Sequence, residues 1–200
     1  MTVDFDDFGA SRIISDMCRS WDCREKLIEL KEINPNFKVT LFTIPGETTP
    51  EICDWVFRNK DWVELAYHGF FHTSNYECEK IDYETFDNIM NNFWRGMPDL
   101  ADTFVKGFKA PGWQISDDIY RWALDNGFWV SDQGYNDHRR PKELPAYINY
   151  NGTFKAKGKE IPSWHGHTWD CVGNGIYETF DRLSVVVRDA DNFEFVSEVV

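Results

Sequence analysis

The chain has 200 residues, of which 42% are hydrophobic and 16% aromatic, and its formal net charge is −13. This composition is too apolar and too aromatic for a disordered protein, and the length suits one domain with a sizeable core. The negative charge opposes approach to phosphate backbones and to anionic lipid surfaces. We therefore expect neither nucleic acid nor a membrane as a partner, and the composition leaves the oligomeric state open.

The cysteines and the start of the chain indicate a reducing compartment. There are five Cys, an odd number without Cys-x-x-Cys spacing, which argues against a disulfide framework and against a thiolate zinc site. No basic segment followed by an apolar run opens the chain, and no apolar run reaches the roughly 18 residues of a membrane span. We expect a cytoplasmic protein, acting in the host cytoplasm if a phage carries the gene.

Strand and helix patterns alternate along the chain. The predicted strands are the opening residues 2–9, then 37–44, 62–67, 104–109, 128–131, 147–150 and 161–164. The predicted helices are 21–33, a segment starting at 48–51, 83–95 and 116–126. Residues 183–187 and 193–199 are interpreted as strands, the second equally as a short helix. Repeated strand–helix units predict an α/β fold with a parallel sheet, either open or closed into an incomplete or distorted barrel.

Two adjacent acids end the first predicted strand. Neighbouring carboxylates such as Asp6 and Asp7 repel each other unless a cation or a proton lies between them, which indicates a site. The same residues before Phe-Gly are also typical of a solvated turn. In parallel folds, functional groups collect beyond the carboxyl ends of the strands. Other polar residues that follow predicted strands are His68, Lys109, Asp132 and His165.

A histidine pair follows the third predicted strand. His68 and His72 are four residues apart, a spacing at which two imidazoles on a helical turn converge on one ion. The zincin motif has this spacing but needs Glu where this chain has Gly69. A carboxylate from Asp6 or Asp7 completes a one-Asp, two-His set with positions open for water and substrate. Zn is the expected divalent ion, and these ligands also suit Co, Ni, Fe or Mn.

Five motifs, in order, resemble those of the polysaccharide deacetylase family, the NodB-homology domain of the carbohydrate esterases. They are Phe5-Asp6-Asp7, His68-x-x-x-His72, Phe108-Lys109-Ala110-Pro111-Gly112, Asp132 and Trp164-His165-Gly166-His167. The resemblance covers nearly the whole chain and implies one catalytic domain, residues 1–200, with a distorted (β/α)7 barrel. It also implies a metal-dependent hydrolase that removes an N- or O-linked acetyl group from a sugar or glycan.

The resemblance gives the first two motifs the metal chemistry. It implies that Asp7, His68 and His72 bind the metal and that Asp6 is the catalytic base. The base would accept the remaining proton of a metal-activated water as that water attacks the acetyl carbonyl.

The remaining motifs would serve the base and the leaving group. The resemblance implies a proton donor at His165 or His167, which point to the same side of an extended segment, and His165 aligns better. Asp132 would orient and charge that acid, and Lys109 would pair with the base. Lys109 stands where the family usually has Arg, and Gly69 where it has Ser or Thr, so the chain resembles a divergent branch.

Several residues beside these motifs are candidates for substrate contact. Trp113 is expected to offer its ring to a sugar, together with Pro111 and Gly112. Trp164 and Trp169 are interpreted as core residues, and Asn174 as a turn residue or a member of a site loop. His138 is interpreted as a surface residue.

Three other functions remain open from the sequence. One is hydrolysis of a different C–N bond by the same metal site, as in related amidases. Another is a non-catalytic carbohydrate-binding protein that keeps the barrel. The third is an Fe(II) oxygenase, which the ligand types allow but the order of the motifs disfavours.

Overall fold

The structure is a computed structural model that describes residues 1–10, 12–15, 18–168 and 175–200. The strands are β1 (Thr2–Phe8), β2 (Arg12–Ser15), β3 (Cys18–Ser20), β4 (Val39–Thr43), β5 (Val63–His68), β6 (Phe104–Lys109), β7 (Trp129–Gln133), β8 (Ala146–Tyr150), β9 (Thr153–Ala156), β10 (Lys159–Ile161) and β11 (Ser163–His167). The helices are α1 (Arg24–Ile33), α2 (Pro50–Arg58), α3 (Glu77–Lys80), α4 (Tyr83–Gly96), α5 (Pro98–Ala101), α6 (Asp117–Asp125), α7 (Gly175–Asp189) and α8 (Val196–Val199). No helix in these ranges has the length and apolarity to cross a bilayer.

Seven parallel strands form the sheet that carries the site. The sheet order is β10-β9-β8-β7-β6-β5-β4-β1-β11, and all neighbours from β8 to β11 in this order are parallel. Thr2 Oγ1 in β1 lies 2.8 Å from the hydroxyl of Tyr147 in β8 and 2.9 Å from Ser163 Oγ in β11. The contact with Tyr147 crosses the interior from β1 to β8, whereas Ser163 is the neighbour of Thr2 on the adjacent strand, so the sheet is a nearly closed, distorted barrel. The predicted α/β barrel in a single domain is confirmed.

Side chains alternate between the two faces of β1, and the protein has one apolar cluster outside the barrel and another inside it. Val3 and Phe5 face outward into the cluster between the strands and the helices, where Phe5 stacks on Phe180 of α7 with ring centroids 5.1 Å apart. Asp4 and Asp6 lie on the opposite face of the strand, because successive side chains alternate. A second cluster contains Phe42, Ala66, Trp129, Tyr147, Phe154, Ala156 and Val196. Polar groups of β1 are therefore buried inside the barrel.

The helix signals in the sequence have the expected structural basis. The Thr49 and Ser116 side chains accept hydrogen bonds from backbone N–H groups in the first turns of α2 and α6, as helix N-caps do. Pro50 opens α2 at a position where a missing N–H costs nothing.

The predicted strand at residues 183–187 is wrong. Leu183 and Val187 lie in α7, fully buried, one helical turn apart, and Phe180 extends the same face. Val185, between them, is exposed, so the apolar run has the period of a helix and not of a strand. For residues 193–199, the short-helix interpretation is the correct one, since α8 begins at Val196. The hairpin β2–β3 and the antiparallel strands β9 and β10 were not predicted.

Candidate metal centre and its catalytic neighbours

A bulge at the end of β1 brings two adjacent carboxylates into the site. The pairing of β1 with β4 shifts register between Phe5 and Phe8, and Asp7 has a φ of 63°. Strict alternation would turn Asp7 away from Asp6, whereas a bulge re-aims one side chain. Both carboxylates are almost completely buried. The solvated-turn interpretation is therefore wrong.

The loop after β5 brings the two histidines together without a helix. His68 ends β5, and His72 follows in an irregular segment with a φ of 50°. The expected helical turn is therefore absent, and the turn depends on Gly69, whose φ is 59°. A Cβ on Gly69 would lie 2.8 Å from Pro111 Cγ, which explains why the usual Ser or Thr does not fit here.

Glu77 holds this loop in place. Its Oε1 accepts hydrogen bonds from the backbone N–H of Phe70 at 2.7 Å and of Phe71 at 3.2 Å, and its Oε2 accepts one from Thr73 at 3.1 Å. The Glu77 carboxylate therefore accepts hydrogen bonds from three backbone N–H groups around His72. These hydrogen bonds hold the loop from which the His72 side chain extends.

Three ligand atoms converge at the mouth of the barrel. Asp7 Oδ1 lies 3.5 Å from His68 Nε2 and 3.2 Å from His72 Nε2. The ligand atoms of this trio lie within 4.8 Å of one another, and all three residues are buried. The family resemblance implied the same three residues as metal ligands, whereas the residue types alone left Asp6 or Asp7 open.

The hydrogen bonds and charges of this trio fit a transition metal. His68 Nδ1 lies 3.1 Å from the carbonyl oxygen of Lys109, to which it donates, so Nε2 is the ring nitrogen that faces Asp7. Burial lowers the pKa of His72, and the neighbouring His68 acts in the same direction, so the ring is neutral, the form that ligates metal. Two imidazoles and a carboxylate that converge in a buried space are a group that could hold a metal ion.

Asp6 and Lys109 form a buried ion pair beside the trio. Lys109 Nζ lies 2.7 Å from Asp6 Oδ1, and neither side chain has appreciable exposure. Burial alone would raise the pKa of Asp6, but the positive charge of Lys109, with smaller contributions from His165 and His68, lowers it well below the ordinary value. Asp6 is therefore ionised at neutral pH, as a proton acceptor must be.

Both candidate acids approach Asp6 from β11. Nε2 of His165 and Nε2 of His167 each lie 3.8 Å from Asp6 Oδ2. The predicted common orientation of the two rings is therefore found. They differ in surroundings, because His165 Nδ1 lies 2.7 Å from Oδ2 of the fully buried Asp4.

Asp132 does not occupy the position that the sequence suggested. Its carboxylate accepts hydrogen bonds from the Tyr120 hydroxyl at 2.7 Å, from Asn136 Nδ2 at 2.8 Å and from Arg140 Nη1 at 2.8 Å. Both of its oxygens are used to join β7 to α6 and to the following turn. The carboxylate that contacts His165 is Asp4, so the expectation that Asp132 orients the acid is not met.

The third motif supports the site from beneath. The ring of Trp113 lies with its centroid 3.8 Å from Lys109 Nζ and 5.6 Å from the His165 ring. Pro111 packs against Gly69, and a Cβ on Gly112 would lie 2.7 Å from Asn75 Cβ. Pro111 and Gly112 thus contact the loop that carries His72, whereas Trp113 borders the cluster itself.

Other sequence candidates lie apart from the site or outside the described residues. His138 is in an exposed turn, with Nδ1 3.0 Å from the carbonyl oxygen of Tyr135, as a surface residue would be. Trp164 packs against the main core. Trp169 and Asn174 lie outside the described residues.

Backbone strain concentrates at the site. Among the described non-glycine residues, positive φ values occur at Asp7, His72 and Trp113 in the site and at Asn151 and Lys157 in hairpin turns. Such conformations cost of order 1–3 kcal/mol each and persist where the surrounding structure imposes them. The site is therefore held in a geometry that the local chain would not choose.

Sequence reasoning missed two functional candidates, Asp4 and Glu77. Asp4 shares a strand face with Asp6 two residues later, so a period of two was the available signal. Glu77 had no comparable signal, because its three partners are backbone groups of a loop that has no periodic pattern.

Comparison with solved structures identifies the fold. The family 4 acetyl xylan esterase from Clostridium thermocellum, in complex with a cobalt ion, matches with a TM-score of 0.62 at 12% identity, covering 99% of this chain and 88% of that one. The Xyl-CE4 domain of a xylanase from the hindgut metagenome of Trinervitermes trinervoides matches with 0.59 at 17% identity, covering 99% and 87%. The chain has the fold of the carbohydrate esterase family 4 deacetylases.

The fold alone does not establish activity. A family 4 pseudoenzyme from Bacillus anthracis also matches, with a TM-score of 0.55 at 11% identity, covering 99% of this chain and 64% of that one. No protein-family model matches the sequence, and no curated protein does. The case for catalysis therefore rests on the side chains of the site.

Proposed function

We propose that this chain is a metal-dependent hydrolase that removes an acetyl group, N- or O-linked, from a sugar or glycan. The observation that carries the proposal is the convergence of Asp7, His68 and His72 directly beside the ionised Asp6, with His165 on the other side of Asp6. A metal trio, a base and an acid are the groups that acetyl transfer to water requires.

Asp7, His68 and His72 would hold one divalent transition metal, with Zn the expected ion. When bound, the metal would supply Lewis acidity, lowering the pKa of a coordinated water towards about 7 and polarising the acetyl carbonyl. The three protein ligands leave further coordination positions open, which is the pattern of catalytic rather than structural sites.

Asp6 would accept the proton of the attacking water. Its Oδ1 is held by Lys109 at 2.7 Å, so Oδ2, which lies 3.8 Å from Nε2 of His165 and of His167, is the oxygen left to accept a proton. The Lys109 charge keeps Asp6 ionised, and burial removes competing water. Removing such a base typically lowers the rate by about 10²–10⁴.

A protonated histidine on β11 would complete the reaction. As the C–N or C–O bond breaks, its electron pair goes to the departing nitrogen or oxygen, which takes the proton from imidazole Nε2. The products are acetate and the free amine or hydroxyl of the sugar. The half-buried ring of Trp113 beside the cluster is suited to stack on the apolar face of a sugar.

Acetate release is the direct test. Zn-loaded wild-type protein is assayed against N-acetylglucosamine oligomers and acetylated xylan, with metal content measured in the same samples. Asp6→Asn is expected to retain the metal and lose turnover by about 10²-fold or more. His68→Ala is expected to lose both, whereas His138→Ala, at an exposed histidine, is expected to lose neither.

The other outcomes discriminate among functions. Full activity of Asp6→Asn would remove Asp6 from the role of base. Metal binding without acetate release from any acetylated sugar would contradict the proposal. In that case, hydrolysis of other amides would indicate an amidase, and sugar binding without turnover would indicate a binding protein.

A further inference from the structure

The carboxylate that contacts His165 comes from the centre of β1. Asp4 Oδ2 lies 2.7 Å from His165 Nδ1, and β1 pairs with β11 in a register that places Asp4 beside His165. Asp4 is completely buried, and its Oδ1 makes no hydrogen bond within the described residues. The contact with His165 is thus the main polar interaction of a buried carboxylate.

We propose that Asp4 is the positioning residue that holds His165, and thereby selects His165 over His167 as the proton donor. This inference rests on the proposed hydrolase function. An Nδ1–H bond to Asp4 turns the ring so that Nε2 faces the Asp6 side of the site, where Asp6 Oδ2 is 3.8 Å away. His167 reaches the same oxygen at 3.8 Å from a more exposed position.

The charged groups around the ring support the Asp4 contact. The titratable and charged groups that face its ring within the described residues are Asp4, Asp6, Lys109 and His167. Lys109 offsets one carboxylate and lies 2.7 Å from Asp6 and 3.8 Å from Asp4. The other carboxylate, Asp4, is fully buried, and the Nδ1–H of His165 is the donor that lies within hydrogen-bond distance of it.

The same atoms fit a second metal ion less well. Oxygen and nitrogen atoms of Asp6, His165 and His167 lie within 4.8 Å of one another, as a metal site requires. However, Lys109 Nζ is 2.7 Å from Asp6 Oδ1 and 3.5 Å from both ring nitrogens of His165. A cation there would face an ammonium group at short range, whereas a proton on His165 would meet the Asp4 carboxylate.

A double-mutant cycle tests the inference in the Zn-loaded protein. Asp4→Asn is expected to lower kcat by about 10²-fold, with KM and metal content unchanged, because the group removed acts on proton transfer. In a His165→Ala background, Asp4→Asn should change kcat by less than about threefold, since positioning has no effect without the acid. Asp132→Asn should instead change kcat by the same factor in the wild-type and His165→Ala backgrounds. His165→Ala should lower kcat more than His167→Ala does.

Nitrogen-15 NMR of the imidazoles gives a readout that needs no substrate. In wild-type Zn-loaded protein, His165 should show Nδ1 protonated, and Asp4→Asn should change that pattern without altering His138. Independent effects of Asp4→Asn and His165→Ala on kcat, or an unchanged His165 spectrum, would overturn the inference. Two Zn ions per chain, with one lost in His165→Ala, would also overturn it. If the wild type released no acetate, the proposed hydrolase function would be rejected. The nitrogen-15 spectrum of His165 would still test the Asp4 contact in that case.

Discussion

Lys109 contacts more residues of the site than its position in the sequence suggests. It is fully buried, its ammonium pairs with Asp6 and approaches Asp4, and its charge lies over the ring of Trp113. The Lys side chain lacks the planar guanidinium of Arg. Its ammonium group is compact enough to lie between the carboxylates of Asp6 and Asp4, against the indole ring of Trp113. Lys109, in place of the Arg of the motif it resembles, therefore keeps a positive charge beside Asp6.

Replacing Lys109 with Met should destabilise the protein strongly. The substitution keeps an apolar stem but leaves the buried carboxylates of Asp6 and Asp4 without their cation. Removing one partner of a buried ion pair typically costs about 3–5 kcal/mol. Chemical denaturation of both proteins in metal-free buffer measures the change.

Lys106→Met on the same strand is the matched control. Lys106 is exposed and donates to the carbonyl oxygen of Asn126, so its loss should change the free energy of unfolding by less than about 1 kcal/mol. If Lys109→Met and Lys106→Met changed the free energy of unfolding equally, the buried ion pair would contribute no more stability than the exposed contact of Lys106.

Sequence patterns could single out the proposed metal ligands but not the directions of their side chains. Asp7, His68 and His72 have the residue types and strand-end positions that predict a metal site. The φ values that turn Asp7 and His72 towards each other depend on the bulge in β1 and on packing against Pro111, which no local pattern encodes. The Asp4–His165 pair depends on the register of two strands about 160 residues apart.

At the scale of elements, the loop between β5 and α3 determines whether the trio can form. Replacing Glu77 with Ala removes the acceptor of three backbone N–H groups and should let the His72 segment move. Partners that orient metal ligands typically contribute about 10–100-fold to metal affinity. Competitive titration of Zn with a chelator should show a loss in this range.

Glu79→Ala is the control for this element. Glu79 is an exposed residue of the same short helix, so its replacement should leave the Zn affinity within about twofold. Unchanged affinity in Glu77→Ala would mean that the loop is held by its packing alone.

A second element prediction concerns α8, which closes the barrel at the end opposite the site. Glu64 in β5 accepts hydrogen bonds from Thr40 at 2.7 Å and from the Ser197 backbone N–H at 3.2 Å. Burial raises the pKa of Glu64, and these hydrogen bonds only partly oppose the effect. The folded protein thus binds this proton more tightly than the unfolded chain.

The sign of the pH effect follows from that difference. The stabilisation is complete below the ordinary Glu pKa of 4.5 and is lost as the pH rises through the raised pKa of the folded state. Glu64→Gln removes the ionisation, so the variant should gain Tm relative to wild type at pH 7 and lose that gain near pH 4. Thermal unfolding at several pH values measures this difference.

An exposed glutamate provides the comparison for Glu64. Glu143→Gln should give a Tm difference from wild type that varies little over the same pH range. A wild-type advantage at pH 7 over Glu64→Gln would show that the charged form of Glu64 stabilises the fold.

The elements themselves were largely predictable because their patterns are local. Residues 104–109 form β6 as predicted, and α4 and α6 agree with their predictions to within a residue at each end. The unpredicted hairpin β2–β3 lies near the start of the chain, whereas the other failures lie in the last third, where short apolar or polar runs fit more than one period. Leu183 and Val187 lie in a helix because, together with Phe180, they form one helical face that packs against the barrel.

At the scale of the whole molecule, the barrel brings together groups from β1, β5, β6 and β11 that are far apart in sequence. The number of parallel strands was predictable from alternating patterns, whereas the closing contact of Thr2 with Tyr147 was not. The solved structures share this fold at low identity, so the fold is specified by burial patterns more than by particular residues.

The most direct test of the central claim is the metal content of the purified full-length protein after incubation with Zn and removal of the excess. Elemental analysis should find about one Zn per chain in the wild type and almost none in the His68→Ala, His72→Ala double variant, with His138→Ala as the control that retains it. Binding of the ion to the folded state alone should also raise Tm, with about 2.7 kcal/mol of stabilisation when free Zn is 100 times its Kd. A wild type that binds no Zn, Co, Ni, Fe(II) or Mn, or a double variant that retains the ion, would contradict the account.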